Sequence, residues 1–186
     1  FLTGRMGYQF VRGMQGDDPK YLKTVATAKH YAVHSGPESL RHEFNARVSE
    51  SDLRETYLPA FRTLVVDAGV YSVMGAYNLF RDYPCCANPE LFSILRDEWG
   101  FQGYIVSDCW AISDFYRFTK VASDAAEAAA QAVKAGTDLE CGVDYKHLVT
   151  ALERGLLTED DIDRAVTRVF TARFRLGMFD PDDMVP

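Results

Sequence analysis

A chain of 186 residues, 47% hydrophobic and 25% charged, carries enough apolar material for one globular domain with a sizeable core. Its formal net charge of -7 offers nothing to nucleic acid or to an anionic membrane surface. No apolar run approaches the roughly 18 residues that a membrane-spanning helix needs, and no basic leader precedes a hydrophobic segment. The chain opens on "FLTGRMG" without an initiator Met, which is the start expected of a fragment. Cys85, Cys86, Cys109 and Cys141 are scattered and form no CxxC pair. Neither a zinc site nor a disulfide framework is expected from them, and the redox compartment stays open.

In chain order, Leu2, Met6, Phe10, Val11 and Met14 recur at helical spacing over residues 2–15, and Gly16 ends the run. "KTVATAKHYAV" is short, apolar and partly β-branched, so a strand is expected near 24–30, followed by a polar, His-rich loop from His34 to about Arg47. Ser49 with Asp52 three residues on resembles a capping box. The helix it opens puts Leu53, Tyr57, Phe61, Leu64 and Val65 on one face and closes at Gly69. "VYSVMGAY" is the next strand. Asn88 as cap and Pro89 at the first helical position start a helix through Trp99.

The pattern repeats with "GYIVSD" as a strand, a helix over "DAAEAAAQAVKAG" capped by Ser123, and a short strand over "TDLECG". Two more helices are expected, one near 144–154 and one from Thr158 with Ile162, Val166, Val169, Phe170 and Phe174 facing inward. Residues 1–177 thus form one domain. The stretch 178–186, with two prolines and no periodicity, has the character of an exit linker.

Strands alternating with helices imply parallel β-structure, because parallel neighbours need a crossover. A doubly wound sheet and a (β/α) barrel both satisfy this. Lys29 and His30, Tyr77, Asp108 and Glu140 all fall at or just past the C-terminal end of an expected strand, each about one βα unit after the last. In a barrel those ends converge on one mouth, where polar groups from different strands meet a substrate. The barrel is therefore the expected architecture. Asp108 itself, at the end of the most hydrophobic strand and beside Cys109 and Trp110, suits either a turn cap or an attacking carboxylate.

"TAKHYAV", "SVMGAYN", "FQGYIVSDCWAI", "AGTDLECG" and "ARFRLGMFDP" resemble, in order and through nearly the whole chain, glycoside hydrolase family 3, the β-glucosidases and β-xylosidases. The resemblance implies the second half of that family's amino-terminal (β/α)8 barrel, with the earlier strands and a following domain lying outside the chain. It also implies exo-acting, retaining hydrolysis of β-glycosides, β-xylosides before β-glucosides. Retention needs two carboxyl groups, one attacking the anomeric carbon and one protonating the leaving oxygen.

By this resemblance Asp108 is the nucleophile. Lys29 and His30 match the pair that hydrogen-bonds hydroxyls of the non-reducing-end sugar, and Tyr77 matches a tyrosine near the nucleophile. Arg41, in "SLRHEFN", matches an arginine-bearing loop of the xylosidase branch. Trp110 is placed to wall the sugar subsite, although many β-glucosidases put Trp directly after the nucleophile, where this chain has Cys109. Glu140 either contacts substrate or holds Lys29. The family's acid/base belongs to a second domain beyond Pro186, and nothing marks Glu38 or Glu43 for that role. The implied partners are an oligosaccharide or aryl β-glycoside and that second domain. No metal or organic cofactor is implied, and a periplasmic or secreted compartment is.

Three other readings fit parts of the chain. Lys29 at a strand end suits a Schiff-base aldolase if desolvated. His30 and His34, four apart, suit a metal-dependent hydrolase only on a helix, and the stretch reads as strand and loop. A non-catalytic carbohydrate-binding half-barrel is the third. One geometric expectation follows from Lys29 and His30 being neighbours. Side chains alternate faces along a strand, so both can turn towards Asp108 only if the backbone between Lys29 and Tyr31 is irregular, through a bulge, a sharp strand end or a non-proline cis peptide.

Overall fold

The computed structural model describes residues 1–185; Pro186, the end of the expected exit linker, lies outside the described residues. Three parallel strands form the main sheet, β1 (Thr27–Tyr31), β2 (Ser72–Gly75) and β3 (Tyr104–Ser107), in the order β1-β2-β3, beside a small second sheet of two-residue strands. Ser72 lies opposite Tyr104 and Gly75 opposite Ser107, so β2 and β3 run in register to their C-terminal ends. Val106 makes one further parallel bridge to Leu139, marking a fourth strand position. Helices cross between successive strands, giving the α/β architecture of an incomplete (β/α) barrel.

The crossover elements are built as their sequences require. Helix α1 (Leu2–Gln15) precedes β1, and Gly16 stops it with φ 76°. The helical run α2, residues 50–67, joins β1 to β2 and alternates α-helical with wider π-type turns around Pro59. Ser49 caps it by accepting the Asp52 N–H at 3.0 Å. The run α3, residues 89–98, joins β2 to β3, with the Asn88 side chain accepting the Leu91 N–H at 3.0 Å and Pro89 at the first position. After β3 come α4 (Ala111–Arg117), α5 (Ala125–Ala135), α6 (Leu148–Glu153) and α7 (Glu159–Arg175).

The core lies between the sheet and α2 and α3, where Tyr31, Leu53, Val73, Leu91, Leu95 and Ile105 are all essentially inaccessible. Tyr31 is the largest of them. Burying a phenol is favourable when its hydroxyl keeps a partner, and this one donates to the Leu91 carbonyl at 3.0 Å while its ring meets Phe61 edge-on. Gly103 opens β3 where a Cβ would stand 2.0 Å from the Tyr71 carbonyl oxygen, so only glycine fits there.

Four expectations about elements need correction. The strand over "TDLECG" is a single bridge at Leu139, because Asp138 takes the Ile105 N–H with its side chain at 2.9 Å and Glu140 turns away to the next helical turn. The cap of α5 is Asp124, not Ser123, which instead binds the Glu127 carboxylate through its N–H and hydroxyl. On α7 Ala165 and Ala172 are the buried residues, Ile162 packs inward as expected, and Val166, Phe170 and Phe174 face out. Apolar periodicity finds the stripe but not which side of it meets the sheet, and here the small side chains allow the close approach. The stretch after 177 also folds back: Phe179 packs on Phe170 and Phe174, and Tyr21 donates to Asp180 at 2.6 Å.

Candidate active site

The C-terminal ends of β1, β2 and β3 bring their polar residues to one edge of the sheet. Asp108 follows β3 directly, and its N–H reaches the Gly75 carbonyl at 3.3 Å, fixing the start of its turn to the end of β2. One carboxylate oxygen accepts the Cys109 N–H at 2.8 Å. The other lies 3.2 Å from Nε2 of His30. The carboxylate is thus hydrogen-bonded on one oxygen and close to the imidazole on the other, with its side chain 13% exposed.

His30 reaches it because β1 is irregular where neighbouring side chains would otherwise diverge. The register against β2 shifts between Ala28 and Tyr31, and the Lys29–His30 and Tyr31–Ala32 peptide bonds are cis. The irregular backbone expected there is present, and His30 turns to Asp108. Lys29 does not complete the picture. It is exposed, borders the groove between β1 and α1 with Leu2 and Met6, and forms no ion pair with Asp108 or Glu140 among the described residues. Burial pushes the His30 imidazole below its ordinary range, the Asp108 charge opposes that, and Lys29 and Arg41 add to it.

Tyr77 donates its hydroxyl to the Cys109 carbonyl at 2.6 Å. Its acidity is weakened first by burial and next by the Asp108 charge, so the phenol keeps its proton. The Arg41 guanidinium stands 4.8 Å from the Tyr77 ring centroid, and its Nη1 donates to Glu38 at 2.8 Å. Trp110 follows in a left-handed conformation, φ 68°, with its N–H on the Cys141 carbonyl and its indole half exposed. Glu140 is engaged elsewhere. Its oxygens accept the Asp144 and Tyr145 N–H groups at 2.9 and 2.7 Å, and burial, outweighing those bonds, raises its pKa.

Two features escaped the sequence reading. Cys109 and Cys141 form a disulfide, contrary to the expectation that no such framework exists. They stand 32 residues apart, and the parallel bridge at Leu139, with the Cys141 N–H on the Ser107 hydroxyl, brings them together. Cys85 and Cys86 are free and buried, with Cys85 pushed up to about 12 by burial. The second feature is an Asp114–His42 pair, Oδ2 to Nδ1 2.8 Å, in which Asp114 is almost wholly buried. Burial raises the Asp114 pKa and His42 works against it. A carboxylate inside the otherwise apolar "AISDFY" turn needs a buried partner, and that was the available signal. The two histidines of the metal-site alternative are also apart in role: Nδ1 of His34 accepts the Gly36 N–H and its ring packs on Phe44 and Tyr57.

Residues 1–172 match the model of the glycosyl hydrolase family 3 N terminal domain. A xylan 1,4-beta-xylosidase of Xylanibacter ruminicola is 52% identical over all of this chain and 22% of its own length. A probable exo-1,4-beta-xylosidase of Aspergillus clavatus is 43% identical over 99% of this chain and 25% of its own. Among solved structures, a family 3 exo-beta-xylosidase in complex with a xylobiose aziridine activity-based probe superimposes with a TM-score of 0.93 at 36% identity, over 98% of this chain and 25% of that one. A beta-glucosidase from Listeria innocua in complex with glucose gives 0.86 at 33% identity, over 97% and 26%. The chain spans about a quarter of the length of these relatives. With a family model covering most of its residues and a relative half identical along its whole length, the chain belongs to glycosyl hydrolase family 3, matching its N-terminal domain model.

Proposed function

We propose that the protein carrying this chain hydrolyses terminal, non-reducing β-D-glycosyl residues, β-xylosides in preference, with Asp108 as nucleophile of a retaining double displacement. The observation that carries this is the carboxylate at the end of β3, oriented by His30 and by the Cys109 N–H and open on one side. A nucleophile must be ionised, rigid and within reach of the anomeric carbon. The Cys109 N–H fixes one carboxylate oxygen and leaves the other facing the His30 imidazole.

In the first step an Asp108 oxygen forms a bond to the anomeric carbon as the glycosidic C–O bond breaks, and the leaving oxygen takes a proton from a general acid. Water then attacks the same carbon, gives its proton to the conjugate base of that acid, and releases Asp108. Arg41 pairs with Glu38, His42 with Asp114, and backbone amides with Glu140. The acid is assigned to a second domain, as in the resemblance. His30 holds the nucleophile and shares the sugar hydroxyls with Lys29 once substrate draws the lysine in. Arg41 and Tyr77 line one side and Trp110 the other. The Cys109–Cys141 disulfide suits an oxidising, periplasmic or secreted setting.

In the full-length gene product, Asp108→Asn removes the attacking charge and keeps the shape. Turnover of an aryl β-xyloside should fall by about four orders of magnitude or more, while binding of a xylose-based inhibitor persists. Undiminished turnover would reject the assignment. Faster cleavage of the β-glucoside would move the reading to a β-glucosidase.

A further inference from the structure

The Asp114–His42 pair lies outside the set of residues that the proposed reaction uses, yet it touches that set at one point. Nδ1 of His42 is 2.8 Å from the Asp114 carboxylate, which comes from the buried face of α4. The imidazole so anchored meets the Tyr77 ring edge-to-face, with centroids 4.8 Å apart, and stacks on Phe118 at 5.3 Å. On Tyr77 the Arg41 guanidinium makes the other close contact, 4.8 Å from the ring centroid. The phenol is thus clamped between a ring that a buried carboxylate fixes and a cation that Glu38 fixes. Its hydroxyl ends on the carbonyl of Cys109, the residue after the nucleophile, at 2.6 Å.

We propose that His42, anchored by Asp114, is a positioning residue that sets the orientation of Tyr77 and through it the backbone turn carrying Asp108. The inference rests on the glycosidase reading for its kinetic consequence but not for its geometric one. A carboxylate as buried as Asp114 requires a partner whatever the function. What a purely structural pair would not do is act on turnover only through the Tyr77 hydroxyl. An imidazole held through Nδ1 cannot rotate, whereas an aromatic side chain in its place packs without direction. Aromatic contacts alone are broad in angle; a hydrogen bond to a fixed carboxylate is not.

The test is a double-mutant cycle in the full-length gene product, with kcat on an aryl β-xyloside and Tm measured for each variant. His42→Asn keeps an N–H for Asp114 and removes the ring from Tyr77. Tyr77→Phe keeps the ring and removes its hydroxyl. Each single change should lower kcat by roughly tenfold to a hundredfold, the size expected when a reacting group is slightly misplaced. The double variant should be no worse than Tyr77→Phe alone, because His42 has nothing left to position. Losses that multiply would overturn the proposal, as would an unchanged kcat in His42→Asn. Asp114→Asn, which keeps an acceptor for Nδ1, should retain most of the turnover that Asp114→Ala loses; equal kcat in the two would also overturn it. If the wild-type protein cleaves no glycoside, the functional reading fails and a crystal structure of His42→Asn decides the geometric claim. The Tyr77 hydroxyl should then have left the Cys109 carbonyl, and a retained 2.6 Å contact would refute the clamp.

Discussion

Nε2 of His30 lies 3.2 Å from the Asp108 carboxylate although His30 is in β1 and Asp108 follows β3, strands that do not touch, with β2 between them. The contact spans the sheet at its C-terminal edge, and it couples the protonation of the imidazole to the charge of the carboxylate. Burial keeps the His30 pKa below 6.5, while Asp108 is the largest influence raising it. Removing the charge in Asp108→Asn should therefore move the His30 titration to still lower pH. The sign for stability follows from the same shift. Between 6.5 and the folded value the unfolded chain binds the proton first, so the contribution of His30 is present above 6.5 and is lost as pH falls through the folded value. Imidazole C–H chemical shifts followed from pH 8 to pH 4 check this. A His30 midpoint above 6.5, or one unmoved by Asp108→Asn, would contradict the coupling.

The architecture was legible in the sequence because its signals are local. Ser49, Asn88–Pro89 and Gly136 mark helix ends by hydrogen bonding and φ alone, and the apolar runs at 72–75 and 104–107 form the strands they suggest. The irregular backbone at Lys29–His30 was expected too, but only His30 turns to Asp108, while Lys29 lies in the groove beside α1. What was not legible depends on distance in the chain. Cys109 meets Cys141, and Asp114 meets His42, only after the strands are placed side by side. Glu140 was misjudged for a similar reason: its carboxylate is consumed by the amides of a turn that begins four residues on. The outward stripe of α7 shows that periodicity gives a face without giving its neighbour.

The disulfide closes a loop between residues 32 apart, and a cross-link of that span removes entropy from the unfolded chain worth about 3–4 kcal/mol. Cys109→Ser with Cys141→Ser should lower Tm by several degrees, and wild-type protein under reducing conditions should melt alongside the double variant. Peptide mapping without reduction should recover the segments around Cys109 and Cys141 joined. Cys85 and Cys86, both buried, should react with thiol reagents only on unfolding. Linkage of either of these two, or free thiols at 109 and 141, would refute the pairing.

Asp138 ties three elements together. One oxygen accepts the Ile105 N–H at 2.9 Å and Arg96 at 3.1 Å, and the other accepts Arg168 of α7 at 2.9 Å. Its side chain is 1% exposed, so removing it strands two partly buried guanidinium groups. Asp138→Ala should cost about 3–5 kcal/mol of stability by denaturant unfolding, the range for a buried pair broken on one side. Asp138→Asn keeps an acceptor and should cost less. A loss under about 1 kcal/mol for the alanine would show that water replaces the carboxylate.

The central claim is that Asp108 attacks the anomeric carbon, and a slow-turnover 2-deoxy-2-fluoro β-xyloside with an activated leaving group tests it most directly. Fluorine at C2 slows both steps, and the good leaving group lets the first outrun the second, so the glycosyl ester accumulates. Incubated with the full-length gene product, it should add one fluorosugar mass per molecule. Proteolysis and tandem mass spectrometry should place that mass on Asp108 within "GYIVSDCW", and Asp108→Asn should take up none. A label on any other carboxylate, or equal labelling of Asp108→Asn, would contradict the account.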